Sequence, residues 1–258
     1  MKYYKITNQD ENHNDLQYET GLNVDPVPFN PSGDCTPGGI YFASTDILAF
    51  LDYGPWIRQV TLPDDAQVYE NPGSPKKYKA DKVILSERKK ITLSVFTQLI
   101  QDGADVHASD DFALRWASEK GCTEIVQVLL DHGADVHADN DLALQWASKE
   151  GHSEVVKVLL DHGADVHADD DFALQWASEK GHAEVVQVLL DHGADVHARR
   201  DFALRWASRN GHTEIVRVLL AHGADVHARD DFALQWASEN GHSEVVRVLE
   251  EHINKETS

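Results

Sequence analysis

The sequence predicts an α + (α+β) molecule: a C-terminal all-α solenoid of five 30-residue repeats led by a half repeat, preceded by a small α+β domain. Two observations predict it. The string GADVHA begins at Gly103, Gly133, Gly163, Gly193 and Gly223, and each copy runs into nearly the same continuation, through residue 252. Self-similarity at a fixed period of this size marks stacked supersecondary units. Residues 1–91 repeat nothing, and Pro26, Pro28, Pro31, Gly33, Pro37, Pro72, Gly73 and Pro75 punctuate their short apolar alternations. The expected domains are residues 1–91 and 92–258.

In the first domain, alternation places short strands at residues 3–7, 39–43, 56–62, 67–70 and 78–85. Ser44 or Thr45 can cap a helix over 46–53. Residues 81–91, DKVILSERKKI, read as strand and turn. Residues 92–102, TLSVFTQLIQD, align with the second helix of a repeat only, with Val95, Phe96, Leu99 and Ile100 as its apolar face. This is the half repeat, and the first domain is expected to cover that end.

Within a full repeat, Leu144, Ala147, Ser148 and Gly151 fall at i, i+3, i+4 and i+7, one small-residue helix face. Gly151 suits the left-handed position that ends such a helix. Ser153 can cap a second helix with Glu154 in its first turn. Val155, Val156, Val158, Leu159 and Leu160 leave that helix apolar around most of its circumference, so it must lie between neighbours. In the last repeat Glu250 stands at the position of Leu160, followed by Glu251, a charge expected on an outer face that no further repeat covers.

The chain holds 23 Lys plus Arg against 44 Asp plus Glu, a net charge of −21. Residues 1–102 account for −4 of it and the repeats for −17. A field this acidic repels phosphate backbones and anionic lipid, so no nucleic-acid or membrane partner is expected. Two cysteines, Cys35 and Cys122, cannot build a disulfide framework or a zinc site alone. No run approaches 18 apolar residues and the first twenty residues hold no apolar core of a leader. The expected setting is intracellular.

The string GHSEVVKVLLDHGADVHA resembles the second half of the ankyrin repeat, GH-x-x-VV-x-LL-x-x-GADVNA. The first half departs from that family, whose T-P-L-H-x-A-A appears here as FALRWAS, FALQWAS or LALQWAS. The period is also 30 rather than the typical 33. The three missing residues lie where the family builds a hairpin finger, so shortened, tight loops are expected. Phe112, Leu142, Phe172, Phe202 and Phe232 are expected to replace the family's polar turn network by apolar packing. The variant A-L-R/Q-W-A-S-x-x-G-H is similar to ankyrin proteins abundant in giant DNA viruses of amoebae. The resemblance implies a non-enzymatic protein–protein interaction module that recruits a protein of unidentified kind through a concave groove and loop tips. It implies no cofactor, and a place in the cytoplasm of an infected host cell or in association with a virion. The first domain is expected to cap the array, mediate homo-oligomer formation or meet a second partner; self-assembly would make the whole a structural protein.

One local string points elsewhere. TPGGIYFASTDILAFLDYG resembles the G-x-G-I-Y-F-A strand of ADP-ribosyltransferases of the poly(ADP-ribose) polymerase type. That resemblance implies a nicotinamide-stacking role for Tyr41, with Glu70 and Glu87 as unanchored candidates for the glutamate and no histidine counterpart on KYYKIT. The competing and preferred reading is a buried strand preceded by a Gly-Gly turn.

Fifteen histidines invite a metal, but fourteen recur with the repeat, and a spacing of five across a glycine turn puts no pair on one helical face. No metal site is therefore expected. Trp116, Trp146, Trp176, Trp206 and Trp236 give one tryptophan per repeat, as a binding ladder or as packing that stiffens the stack. Variation concentrates at loop tips, at the helix end, and at the helix position shared by Arg115, Gln145, Gln175, Arg205 and Gln235. Arg199, Arg200, Arg205, Arg209, Arg217 and Arg229 form the one basic departure from the acidic field. The expected protein-binding residues are the five tryptophans, those five Arg/Gln positions, and Arg199, Arg200, Arg209 and Arg229. No catalytic residue is expected.

Overall fold

A computed structural model describes residues 1–13, 16–32 and 36–256; Gly33 and Cys35 lie outside the described residues. The chain forms two compact units, residues 1–116 with 131–135, and residues 117–130 with 136–258. The expected boundary after residue 91 falls inside the first unit.

The strands of the first unit are β1 (Tyr3–Thr7), β2 (Asn12–His13), β3 (Leu16–Gln17), β4 (Gly21–Val24), β5 (Ile40–Phe42), β6 (Trp56–Thr61), β7 (Val68–Asn71), β8 (Lys77–Ala80), β9 (Lys82–Leu85) and β10 (Lys89–Lys90). They pair antiparallel throughout: β1-β6-β9-β4 with β10 on β6, the β2-β3 hairpin, and β5-β8-β7. Tyr18, Ile40, Phe42, Val60, Tyr78, Val83 and Leu85 pack into one core between these strands. The expected single strand over 78–85 is two strands in two sheets. The chain turns at Asp81, whose N–H goes to the Gln67 carbonyl while its own carbonyl accepts from Asp25. β4 carries no apolar signal because it buries only Asn23 and exposes Leu22 and Val24. The Asn23 amide serves the strand's approach instead, donating to the carbonyls of Glu19 and Gly21 at 2.8 and 2.9 Å.

The helix expected over 46–53 is a 3-10 segment, Thr45–Tyr53, irregular at Asp46 and Phe50, which buries Ile47, Leu48 and Leu51. Neither expected cap operates: Ser44 occupies the cap position without a side-chain bond, and the Thr45 hydroxyl donates to Asp46. Arg58 on β6 meets Glu11 through two parallel bonds of 2.7 and 2.8 Å, both side chains buried.

The half repeat is α1 (Leu93–Gln101), capped by Thr92, with Phe96 and Leu99 fully buried. Strand β1 ties it down: Asp102, just past α1, accepts from Lys2 at 2.7 Å and from the Tyr4 hydroxyl, and the Asp105 N–H reaches the Thr45 carbonyl at 2.7 Å.

Two helices per repeat follow in sequence: α2 (Ala108–Glu119) and α3 (Thr123–Asp131), α4 (Ala138–Glu150) and α5 (Ser153–Asp161), α6 (Ala168–Lys180) and α7 (Ala183–Asp191), α8 (Ala198–Arg209) and α9 (Thr213–Ala221), and α10 (Ala228–Glu239) and α11 (Ser243–Glu256); the last four pairs form helical hairpins. In the second unit α4, α6, α8 and α10 pack as one column and α5, α7, α9 and α11 as another. The small faces allow it: Leu144, Ala147 and Ser148 and their copies in α6 and α8 are essentially inaccessible, as are Val155, Val156 and Leu159 on the second helices. Ser153 is not a cap; it opens α5, and His152 precedes it with no side-chain capping bond. The array ends on α11, which buries Val245, Val248 and Leu249 and leaves Glu250 and Glu251 in solvent.

Candidate functional site

The short repeat closes its loop with an unusual turn. Three consecutive residues at the start of each first helix have left-handed backbone: Ser109–Asp111, 139–141, 169–171, 199–201 and 229–231, with φ between 48° and 63°. Asn and Asp tolerate this region best among residues with a β-carbon, and they fill most of these places. Ser109, Arg199, Arg200 and Arg229 are the exceptions, so arginine sits at three of these places in spite of local preference.

Polar bonds hold the turn, and the expected apolar replacement is corrected to that extent. In the first four repeats the last left-handed residue is a buried aspartate. Asp141 accepts from His137 Nδ1 at 3.2 Å and from the backbone N–H of Asp165, 24 residues on, at 2.8 Å. Asp171 and Asp201 do the same toward Asp195 and Asp225 at 2.7 Å, as does Asp111 toward Asp135 at 2.8 Å. Burial holds the carboxyls of Asp171 and Asp201 above their ordinary value, and the bonds to the next repeat's N–H and to histidine pull the other way. Sequence reasoning missed these aspartates; their signal was their place four residues after a recurrent histidine.

The helix position of Arg115, Gln145, Gln175 and Arg205 braces the same turn. Arg115 donates to the Ser109 carbonyl at 3.0 Å, Gln145 to Asn140 at 2.9 Å and Gln175 to Asp170 at 2.6 Å, while Arg205 donates to both Arg199 and Arg200 at 3.1 Å. Gln145, Gln175 and Arg205 are buried, and only Gln235, in the last repeat, is exposed. Arginine and glutamine alternate here because both bring N–H donors to the turn carbonyls.

The tryptophans are half-buried. Trp146 meets Trp176 edge-on at 5.5 Å and Trp206 meets Trp236 at 6.0 Å. Each pair carries a cation: Lys149 lies 4.0 and 4.4 Å from the first two ring centres, and Arg209 lies 4.6 and 5.4 Å from the second two. Beside the second pair is a recess of about 390 Å³ lined by Arg199, Arg200, Phe202, Arg205, Trp206, Arg229 and Trp236. Arg199 reaches Asp170 at 3.4 Å. No described carboxylate lies within ion-pairing distance of Arg200, Arg205 or Arg229. Arg205 is held below its ordinary value, first by burial and then by the charge of Arg229; the Asp201 carboxylate pulls the other way and Arg200 adds to the lowering. Arg217 stands apart on α9, paired with Glu244 at 2.8 Å.

The recurrent histidines are joints. The Nε2 atoms of His152, His182, His212 and His242 each sit 2.9 Å from a carbonyl 33 residues earlier, in the preceding repeat. Their rings press on Gly121, Gly151, Gly181 and Gly211, where an added β-carbon would come within 2.8 Å of the ring. Cys122 takes this place in the first repeat, and burial raises its thiol pKa. Among the described residues, no three His, Cys, Asp or Glu side chains cluster as metal ligands.

In the first unit, Tyr41 lines a cavity of about 100 Å³ together with Lys5, His13, Tyr18, Phe50 and Tyr53. The Tyr41 hydroxyl accepts from the Thr36 N–H at 3.0 Å. Gly39 is required before this strand, because the Lys79 stem passes where its β-carbon would stand, 2.5 Å away. Neither Glu70 nor Glu87 lines the cavity; Glu70 faces Lys76 at 3.8 Å.

Comparison with known proteins adds three findings. The family described as ankyrin repeats (3 copies) matches residues 86–170, 140–200 and 166–230. An ankyrin repeat protein of Acanthamoeba polyphaga mimivirus is 38% identical over 123 residues, which is 45% of this chain and 40% of the relative. Two further ankyrin repeat proteins of that virus are 34% and 35% identical over 133 and 131 residues, 49% of this chain in each case and 65% and 40% of theirs. The chain thus spans less than two thirds of each of these relatives.

Proposed function

The chain belongs to the ankyrin-repeat family, a general protein-interaction module, and on that premise we propose that it binds an acidic segment of a protein partner in the arginine–tryptophan recess of its last two repeats. The observation that carries this reading is the convergence of Arg200, Arg205 and Arg229, none of them ion-paired to a carboxylate among the described residues, on one recess of a strongly acidic chain. Carboxylates entering there relieve the mutual repulsion of the guanidiniums and gain bidentate bonds. Trp206 and Trp236 supply rigid apolar walls of the kind that dominate binding energy. The left-handed tips support the reading too, since Arg199, Arg200 and Arg229 occupy backbone that favours Asp or Asn. Arg209 and Lys149 fix the ring geometry, and the buried Gln145, Gln175 and Arg205 hold the turns that present the tips. The surrounding acidic field repels a similarly acidic partner everywhere else, which favours one register.

The test is a fluorescence titration of the full chain with a Glu-rich peptide carrying one tyrosine, and with its Lys-rich counterpart. The Glu-rich peptide is expected to bind with strong salt dependence and the Lys-rich one to show no recess-dependent signal. Arg200→Glu with Arg229→Glu is expected to weaken binding tenfold or more, on the order of 1.5 kcal/mol or above for lost close charge pairs. Equal binding by parent and variant would remove the recess from the account.

A further inference from the structure

The cavity of the first unit has a feature that protein binding leaves unused. Lys5 is central to β1 and only 7% exposed, yet it lines the cavity. Its Nζ donates to the Tyr41 carbonyl at 2.8 Å and lies 4.4 Å over the Tyr18 ring, and it pairs with no described carboxylate. The neighbouring Lys2, by contrast, reaches Asp102 at 2.7 Å. Burial without a counter-ion disfavours the ammonium and brings the amine down to about 7. A substantial fraction of such a lysine is an unprotonated nucleophile at neutral pH, whereas a solvated lysine is almost wholly a cation.

We propose that this cavity binds a small aldehyde or ketone and that Lys5 holds it as a Schiff base. The size limits the ligand to a few heavy atoms: about 100 Å³ is less than the roughly 150 Å³ cavity that accepts benzene. The rings of Tyr18, Tyr41, Phe50 and Tyr53 suit an uncharged carbonyl compound with a short apolar substituent. In the condensation the Lys5 lone pair attacks the carbonyl carbon and a C–N bond forms, while a proton passes from nitrogen to oxygen. The resulting hydroxyl then leaves as water with a second proton and C=N remains, so no oxidant or reductant is needed. His13 lines the same cavity and is held below its ordinary value, by burial first and by the Lys5 charge second, so it can carry that proton.

The full chain is incubated with propionaldehyde and cyanoborohydride at pH 7, and labelled lysines are mapped by mass spectrometry. An amine titrating near 7 is half unprotonated there, whereas an ordinary lysine is so in about one molecule in 2,500. Lys5 is therefore expected to be labelled at least ten times more than the exposed Lys89 and Lys90, with the preference fading toward pH 10. Lys5→Met is expected to abolish the preferential adduct while the far-ultraviolet circular dichroism is retained. Labelling of Lys5 equal to or below that of Lys89 and Lys90 at pH 7 overturns the proposal, as burial without access would produce. Protection of Lys5 by propionate also overturns it, because the cavity would then be holding an anion against an ammonium.

Discussion

Replacing Asp171 by alanine asks whether the buried carboxylates fasten one repeat to the next. Asp171 is 4% exposed, and its Oδ1 accepts from the Asp195 N–H at 2.7 Å and from His167 at 3.1 Å. Removing it leaves that N–H without its partner, at about 1–3 kcal/mol. It also puts alanine at φ 60°, at about 1–2 kcal/mol. The carboxylate's own desolvation is relieved and offsets part of this, so a net loss of about 2–3 kcal/mol is expected. Asp231 is the internal control: it has the same φ of 60° and a His227 partner at 2.6 Å, but among the described residues it accepts from no later backbone N–H, and its side chain is 47% exposed. Asp231→Ala is expected to cost about 1 kcal/mol, and Asp171→Asn, which keeps an acceptor and tolerates the turn, less than about 1 kcal/mol. Urea unfolding followed by tryptophan fluorescence and circular dichroism measures all three. A repeat array with one weakened interface also loses cooperativity, so the slope should fall for Asp171→Ala alone. Equal losses at 171 and 231, with unchanged slopes, would refute the fastening role.

Gly151→Ala places a β-carbon 2.5 Å from His182 Nδ1 at φ 82°, and thermal melts should register a loss of about 2–4 kcal/mol; Gly241→Ala, at φ 75° with open space around it, should lose only about 1 kcal/mol. Ser148 and Ser178 bury hydroxyls with no bonding partner among the described residues, so Ser→Ala at either is expected to stabilise by about 0.5–1 kcal/mol, and a measured loss would mean the hydroxyl is used. Arg58 holds the Glu11 carboxyl below the ordinary carboxylate range. Its contribution is therefore complete above about pH 4.3 and is lost as pH falls through the lower folded value. Glu11→Gln should accordingly be less stable than the parent at pH 7, with the gap closing toward pH 2, as read from urea midpoints across that range.

The helices were legible because their causes are local. The i, i+3, i+4 spacing of Leu144, Ala147 and Ser148 marks the face that is buried, and Gly151 marks the left-handed end at φ 82°. In the first domain β1 was legible where it faces the core, whereas β4 hid because its buried residue is Asn23 and its apolar residues point outward. The corner at Asp81 hid inside a run of strand-forming residues. The Arg/Gln position read as a varying recognition residue; burial of Gln145, Gln175 and Arg205 against turn carbonyls makes it a brace.

From the sequence alone came the family, the five units, the half repeat before them and the acidic field, all properties of residue order and periodicity. Only the tertiary structure decided that aspartates bond 24 residues ahead and histidines 33 residues back. It alone also brought Arg200, Arg205 and Arg229 to one recess and enclosed Lys5 without a counter-ion. The physical reason is range: a helix face needs neighbours three and four positions away, but a bond between repeats depends on how two separately formed hairpins dock. Burial of a charge likewise depends on everything packed around it, and no local pattern encodes that.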